Sequence, residues 1–283
     1  MHDSAPPIGA FDAFRDVKNW DAEKANYWTG VLNQRSAEPD QIALRDFILN
    51  QSGLKPAETV LEIGCGTGRL LFELTKAVGP EGRAIGIEPQ TILAKEAEGF
   101  ILDQTQSTIA RVLCGVAEDI PLSDKSIDVC VAQTVLIHIP PGKLNQVFSE
   151  IKRVLKPNGR FVTVDQDGDT WIIDHPDRKI TREVIRFNSD YRYADGWTGR
   201  YLRRLFLQNG FKEVRVEGVS HCDTEHGSYL HQMACRIAES AAEKAVLSKA
   251  ECKTWLAELD KIMQEGNFFS SICFFSCQGV VSS

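Results

Sequence analysis

Apolar positions recur along the chain with two different periods, and these divide it into helical and strand segments. Within residues 11–53, Ile42, Leu44, Phe47, Ile48 and Leu54 approximate a helix face, and Gly53 supplies a stop. Val60-Leu61-Glu62-Ile63 reads as a buried strand that runs into Gly64-Cys65-Gly66-Thr67-Gly68 and on into a helix. Leu144, Val147, Phe148, Ile151, Val154 and Leu155 share one face of a helix that Pro140-Pro141 start. A further helix at 198–209 turns Tyr201, Leu202, Leu205 and Phe206 inward and closes at Asn209-Gly210, before a strand over Lys212 to Val216. Strand and helix alternate to this point, so the sheet is expected to be mostly parallel.

Two insertions interrupt the alternation, residues 168–197 and 221–266. The second holds a helix with Leu230, Met233, Ala234, Ile237 and Ala241, then another that opens on the capping box Ser248-x-x-Glu251. That last helix turns Cys252, Trp255, Leu256, Leu259, Ile262 and Met263 inward and stops at Gly266. Phe268 to Val281 reads as the final strand.

Composition narrows the setting. A chain of 283 residues holds one elaborated α/β domain. Its net charge of −7 and the lack of any basic run argue against a surface that tracks nucleic-acid phosphates. Met1 to Pro7 lacks a charged segment followed by an apolar one, and nowhere do about 18 apolar residues run together, so a soluble, cytoplasmic protein with no membrane partner is expected. Eight cysteines form no C-x-x-C pair, and contexts such as Val129-Cys130-Val131 point to reduced, mostly buried thiols. Phe11, Phe14, Trp20, Tyr27 and Trp28 crowd an otherwise polar segment; packing of a lid explains most of them, with Tyr27 and Trp28 as candidates for ligand contact.

The glycine turn carries the chemistry. Three glycines at alternate positions clear side chains from the crossover, and Glu62 leaves a carboxylate near the strand's carboxyl end, where open α/β sheets bind ligands. A small, partly cationic ligand suits that place. The dinucleotide fingerprint G-x-G-x-x-G/A is not met, because Arg69 sits where its third small residue belongs. The segment instead resembles the class I S-adenosylmethionine-dependent methyltransferases, whose first motif is an acidic residue followed by G-x-G-x-G. Further pieces follow in the family's order. They are a second strand, Arg83 to Ile87, ending in Glu88-Pro89-Gln90; an adenine loop, Gly115 to Leu122; a fourth strand, Ser126 to Ala132; and a helix, turn and fifth strand over Val154 to Val164. Together they cover residues 55–170. One position departs from the pattern: Val116 stands where many relatives carry aspartate, so a side-chain acceptor for the adenine amino group is missing unless Glu118 supplies it.

The resemblance is to the small-molecule type typified by ubiquinone and menaquinone biosynthesis. It implies a Rossmann-like α/β fold, a mostly parallel seven-stranded sheet with an antiparallel last strand, plus helical N-terminal and cap insertions. Residues 1–53 would form the lid, 54–220 the cofactor-binding core, 221–266 the cap and 267–283 the closing strand. It also implies S-adenosylmethionine as cofactor, held by Glu62, Gly64, Cys65, Gly66, Gly68, Glu88, Pro89, Gln90, Ala117, Glu118 and Gln133. In that scheme Glu88 takes the ribose hydroxyls, which an acceptor-only carboxylate can do in bidentate fashion, the Ala117 N–H faces adenine, and Gln133 lines the methionine end.

Methyl transfer from a sulfonium is an in-line displacement, so the protein must align acceptor, methyl carbon and sulfur and exclude water. A base helps only where the acceptor is a hydroxyl or an acidic carbon. His138, just past the fourth strand, is the candidate base; the alternative is that it caps the sheet by bonding a backbone carbonyl. Tyr27, Trp28, Asp165, His221 and His226 are candidates for the acceptor pocket. The run from Asp165 fails the calcium-loop pattern, with Thr170 at its sixth and Pro176 at its twelfth position, and His221, His226 and His231 lack zinc-finger spacing, so no metal is assigned. No Asp/Asn-Pro-Pro-aromatic motif follows Ala132, which weakens a DNA base or glutamine as substrate. The expected function is methyl transfer to a small, aromatic or partly apolar metabolite. A protein or RNA methyltransferase would show a basic face, and a non-catalytic regulatory protein that binds the cofactor would show no turnover; the oligomeric state is left open.

Overall fold

A computed structural model describes residues 6–105 and 109–282; the part of the N-terminal reading that concerns Met1 to Ala5 lies outside them. Two helices precede the sheet, α1 (Ala22–Ala37) and α2 (Pro39–Ser52). Asp21 caps α1 by accepting from the Lys24 N–H at 2.8 Å, and Pro39 opens α2, which Gly53 ends in the left-handed region. The buried face of α2 is Gln41, Leu44, Ile48 and Ser52, whereas Ile42 is 45% exposed. Leu44, Phe47, Ile48 and Leu54 of the expected face pack into the core, and Ile42 alone turns outward, beside a Gln41 that packs inward and that hydrophobicity passes over.

Among the described residues the eight strands are β1 (Thr59–Ile63), β2 (Arg83–Glu88), β3 (Ala110–Cys114), β4 (Ile127–Gln133), β5 (Leu155–Gln166), β6 (Ile172–Ile173), β7 (Lys212–Asp223) and β8 (Ser270–Val280). Among them run α3 (Arg69–Val78), α4 (Thr91–Thr105), α5 (Leu144–Val154), α6 (Arg178–Tyr191), α7 (Thr198–Gln208), α8 (Tyr229–Glu243) and α9 (Lys249–Gln264). The sheet order is β3-β2-β1-β4-β5-β8-β6, with β7 also paired to β8. β1 to β5 pair in parallel, while β8 is antiparallel to β5, β6 and β7. The mostly parallel sheet with an antiparallel last strand is thus observed, with eight strands instead of seven. The extra one, β6, is two residues long and pairs Ile172 with Ser271, too short for any period to register. β7 runs on to Asp223, so His221 to Asp223 belong to the sheet and not to the insertion after it.

The chain winds outward from β1 through β2 to β3 and returns on the other side of β1 as β4, which leaves a crevice at the carboxyl ends of β1 and β4. One face of the sheet is sealed by an aromatic cluster in which Phe161 stacks on Phe206 with ring centres 5.0 Å apart, bordered by Phe148 and Phe211. The other carries α8 and α9, which close over α6; Trp255 of α9 is buried and donates its indole N–H to Thr181 of α6 at 3.0 Å. The expected capping box of α9, Ser248 with Glu251, is formed in both directions. Among the described residues no helix is long and apolar enough to cross a membrane.

Candidate functional site

β1 delivers Gly64 to the crevice with φ +65°, where an added Cβ would stand 2.7 Å from Val135 Cγ2. Only glycine lets the turn pass under the segment that follows β4. The next glycine, Gly66, faces the lid, and its N–H donates to Glu88 Oε2 at 3.0 Å, which locks the first turn to the end of β2. Gly68 serves packing: it sits at the head of α3 against Ala97 of α4, away from the cavity. Cys65 presents only its backbone, for its thiol is turned toward Gly86 in β2 and burial pushes that thiol well up.

Glu88 is buried, and its second oxygen accepts the Gln90 N–H at 3.0 Å. Burial pushes its carboxyl up to about 7, with the two N–H donors pulling the other way. Glu62 lies deeper, with Oε2 unpartnered, and burial together with the nearby Glu88 holds its carboxyl well above the usual range. Pro89, Ala117, Glu118 and Gln133 line the cavity, and Glu118 Oε1 accepts from Lys143 Nζ at 3.0 Å.

Gln90 departs from its expected role. Its amide turns away from the cavity, donating to the carbonyls of Val17 and Trp20 at 3.0 and 3.3 Å and accepting from the Ile92 N–H. Gln90 therefore clamps the lid. Gln90→Ala leaves two carbonyls without this donor and should cost about 1–3 kcal/mol, localised to the lid. Limited proteolysis of the first 30 residues should speed up; unchanged protease resistance would contradict the clamp.

The lid itself is an aromatic cluster in which the Phe14 ring is tilted against Trp20 and Trp28, with ring centres 5.0 and 4.9 Å away. Beneath it is a cavity of about 710 Å³. Gly64, Glu88, Ala117 and Gln133 line one part of it, and Arg35, Gln166, Arg192, Tyr193, Tyr229 and Arg236 another. Trp28 forms part of the wall; Tyr27 borders it but is 58% exposed. Between the parts stands Thr134 at φ +55°, a strained position for a β-branched residue, where its hydroxyl accepts from Arg35 Nη2 at 3.3 Å.

His138 occupies the short turn Leu136–His138 at the cavity wall. Its Nδ1 lies 2.9 Å from Asp12 Oδ1, so its partner is a carboxylate from the lid and not a backbone carbonyl. Asp12 also accepts the Phe14 N–H at 2.9 Å, while its second oxygen is buried without a partner. Phe14 packs on the imidazole with ring centres 4.7 Å apart. Asp12 is one of the site residues that sequence reasoning missed, since a lone aspartate among aromatics carries no local signal.

Three acceptor-pocket expectations are corrected by the geometry. Asp165 is fully buried beneath the His138 turn, accepting from the Ile137 N–H at 3.2 Å and the Thr163 hydroxyl at 3.1 Å, and burial pushes its carboxyl up to about 7. Its neighbour Gln166 is the residue that lines the cavity, because consecutive strand residues face opposite ways. His221 is buried in β7, with Nε2 at 2.9 Å from Asp40 and 3.3 Å from Asp223, and it ties α2 to the sheet. His226 is exposed and lies tilted against His231 outside the cavity.

Comparison with known proteins gives a consistent picture. The profile of a methyltransferase domain matches residues 60–159. An uncharacterised 37.1 kDa protein of transposon Tn4556 from Streptomyces fradiae is 30% identical over 256 residues, covering 85% of this chain and 71% of that one. The demethylmenaquinone methyltransferase of Lactobacillus johnsonii is 29% identical over 180 residues, covering 58% of this chain and 71% of its own length. The crystal structure of the YcgJ protein of Bacillus subtilis shares the fold, with a TM-score of 0.57 at 17% identity over 84% of this chain and 98% of that one.

Proposed function

The chain belongs to the class I S-adenosylmethionine-dependent methyltransferases, and on that premise we propose that it methylates a small, aromatic or partly apolar acceptor enclosed beside the cofactor. One observation carries the reading: a single cavity runs from Gly64, Glu88 and Ala117 past His138 to Tyr193 and Tyr229, under a lid of aromatic residues. Such enclosure suits a small molecule, whereas a protein or RNA substrate needs an open approach.

The residues fit the cofactor on their own chemistry. A recess of about 100 Å³ beside Gly64 is lined by both Glu62 and Arg35, each of which has a buried atom without a partner, Oε2 and Nε. A carboxylate and a guanidinium side by side match the ammonium and carboxylate of an amino-acid tail. Glu88 keeps one lone pair on each oxygen beyond its backbone bonds, as two ribose hydroxyls require. Ile87, Leu93, Val116 and Ile139 offer an apolar slot for adenine, and with Val116 in place of an acid the backbone at Ala117 is left to bond its edge. When bound, the sulfonium supplies an activated methyl group for in-line transfer.

The chain's own residues then orient the acceptor, move a proton and exclude water. Asp12 as a carboxylate can only accept, which keeps the His138 proton on Nδ1 and leaves the lone pair on Nε2 for the acceptor's proton. Phe14 and Trp28 shield the reacting groups from solvent. The test is incubation with methyl-labelled S-adenosylmethionine and a size-fractionated extract. Label in the low-mass fraction supports the reading, and label confined to macromolecules would overturn the small-acceptor assignment.

A further inference from the structure

We infer that the acceptor carries an oxyanion, a carboxylate or a phosphate, seated between Arg192 and Arg236; the inference rests on the methyltransferase reading of the same cavity. Arg192 stands at the carboxyl end of α6, and Arg236 projects from α8 into the same wall as Tyr193 and Tyr229. Among the described residues neither guanidinium has an ion-pair or hydrogen-bond partner. This contrasts with Lys143, a basic group on the same cavity, which is paired with Glu118.

A charge ledger of the cavity leads to the same place. Arg35 is matched by the carboxylate of the amino-acid tail and Glu62 by its ammonium, while Glu88 accepts from the uncharged ribose hydroxyls. Of the cavity's guanidinium groups that leaves Arg192 and Arg236, both partly buried, and the exposed Arg15 with nothing opposite them. Glu239 and Glu243 also border the cavity, but both are exposed on α8 and neither comes within ion-pairing distance of Arg236. A neutral acceptor filling the space would strip water from both arginines and return nothing, which is costly for a charged group. An oxyanion returns bidentate charge-assisted bonds, the geometry for which guanidinium is suited. Tyr193, whose ionisation burial disfavours, stays a neutral donor beside the seat. Arg15 and Lys18 also border the cavity, both exposed, as are Glu239 and Glu243. Together with the aromatic walls, the partly buried arginine pair points to an aromatic acid or an aromatic phosphate ester.

The test uses the full chain saturated with S-adenosylhomocysteine and titrated with benzoate, inorganic phosphate and benzamide. Benzoate or phosphate should bind saturably, at least about tenfold tighter than benzamide, and the tighter of the two anions identifies the source. Arg192→Gln and Arg236→Gln should each weaken the anion about tenfold with S-adenosylhomocysteine affinity unchanged. Equal binding of benzoate and benzamide, or anion affinity untouched in both variants, would overturn the inference. Should the variants fail to fold, the benzoate and benzamide comparison on the wild-type chain decides alone. Failure of S-adenosylhomocysteine to bind strikes the methyltransferase reading instead, and titration of the unliganded chain with the same anions then decides the arginine seat separately.

Discussion

His138→Ala is expected to lower kcat by about 10²–10⁴ with cofactor affinity nearly intact, and Asp12→Asn to reproduce a large part of that loss. Asparagine keeps the size of the side chain but offers an N–H as readily as a carbonyl, so the imidazole loses the partner that fixes its proton on Nδ1. The two changes act on one proton path, so the double variant should be scarcely worse than His138→Ala alone. A separate reading of the pair is that it only staples the lid to the turn after β4. In that case melting temperature and protease resistance fall in both variants while kcat of the folded fraction holds. Full activity in Asp12→Asn would remove Asp12 from the mechanism.

Glu88→Gln should weaken S-adenosylmethionine by about tenfold or more, about 1.5–3 kcal/mol for charge-assisted bonds to the ribose. The effect should depend on pH in a definite direction. Burial places the Glu88 carboxyl near 7 in the free protein, so protonation as pH falls below that value removes acceptor capacity, and affinity should drop from pH 8 to pH 6. In Glu88→Gln this dependence should flatten. Stability runs in the opposite sense. The folded state holds the Glu88 proton after the unfolded chain has released its own, so between about pH 4.5 and 7 the unliganded protein loses stability as pH rises, relative to the glutamine variant. Asp165, also pushed up to about 7, adds a contribution of the same sign, and His175, lowered by burial, opposes it. Comparing wild type with Glu88→Gln isolates the one group. A calorimetric affinity that stays constant from pH 6 to 8 in the wild type would contradict the role of Glu88.

The parts of the fold legible in the sequence are those written in short-range patterns. The strand, glycine turn and helix from Val60, the acid at Glu88 and the capping box at Ser248 each depend on residues adjacent in the chain, and each stands where expected. What escaped depends on parity or on distance. Asp165 and Gln166 differ by one position, and that one position decides which reaches the cavity and which props the His138 turn from below. Asp12 meets a histidine 126 residues away, and Arg192 and Arg236 line one cavity from two segments that the sequence assigns to separate insertions. Gln90 lies inside a recognised motif, yet its side chain is directed by the lid that packs on it and not by the motif. Tertiary packing, not local spacing, fixes each of these.

A crystal structure of the chain with S-adenosylhomocysteine tests the central claim most directly, because that claim is spatial: one cavity, with the cofactor beside Gly64 and the acceptor beyond His138. The ribose hydroxyls should lie within about 3 Å of the Glu88 oxygens, the amino-acid tail should reach Glu62 and Arg35, and the sulfur should face the part of the cavity bordered by His138 and Tyr193. A ribose away from Glu88, or a sulfur turned from that space, would contradict it.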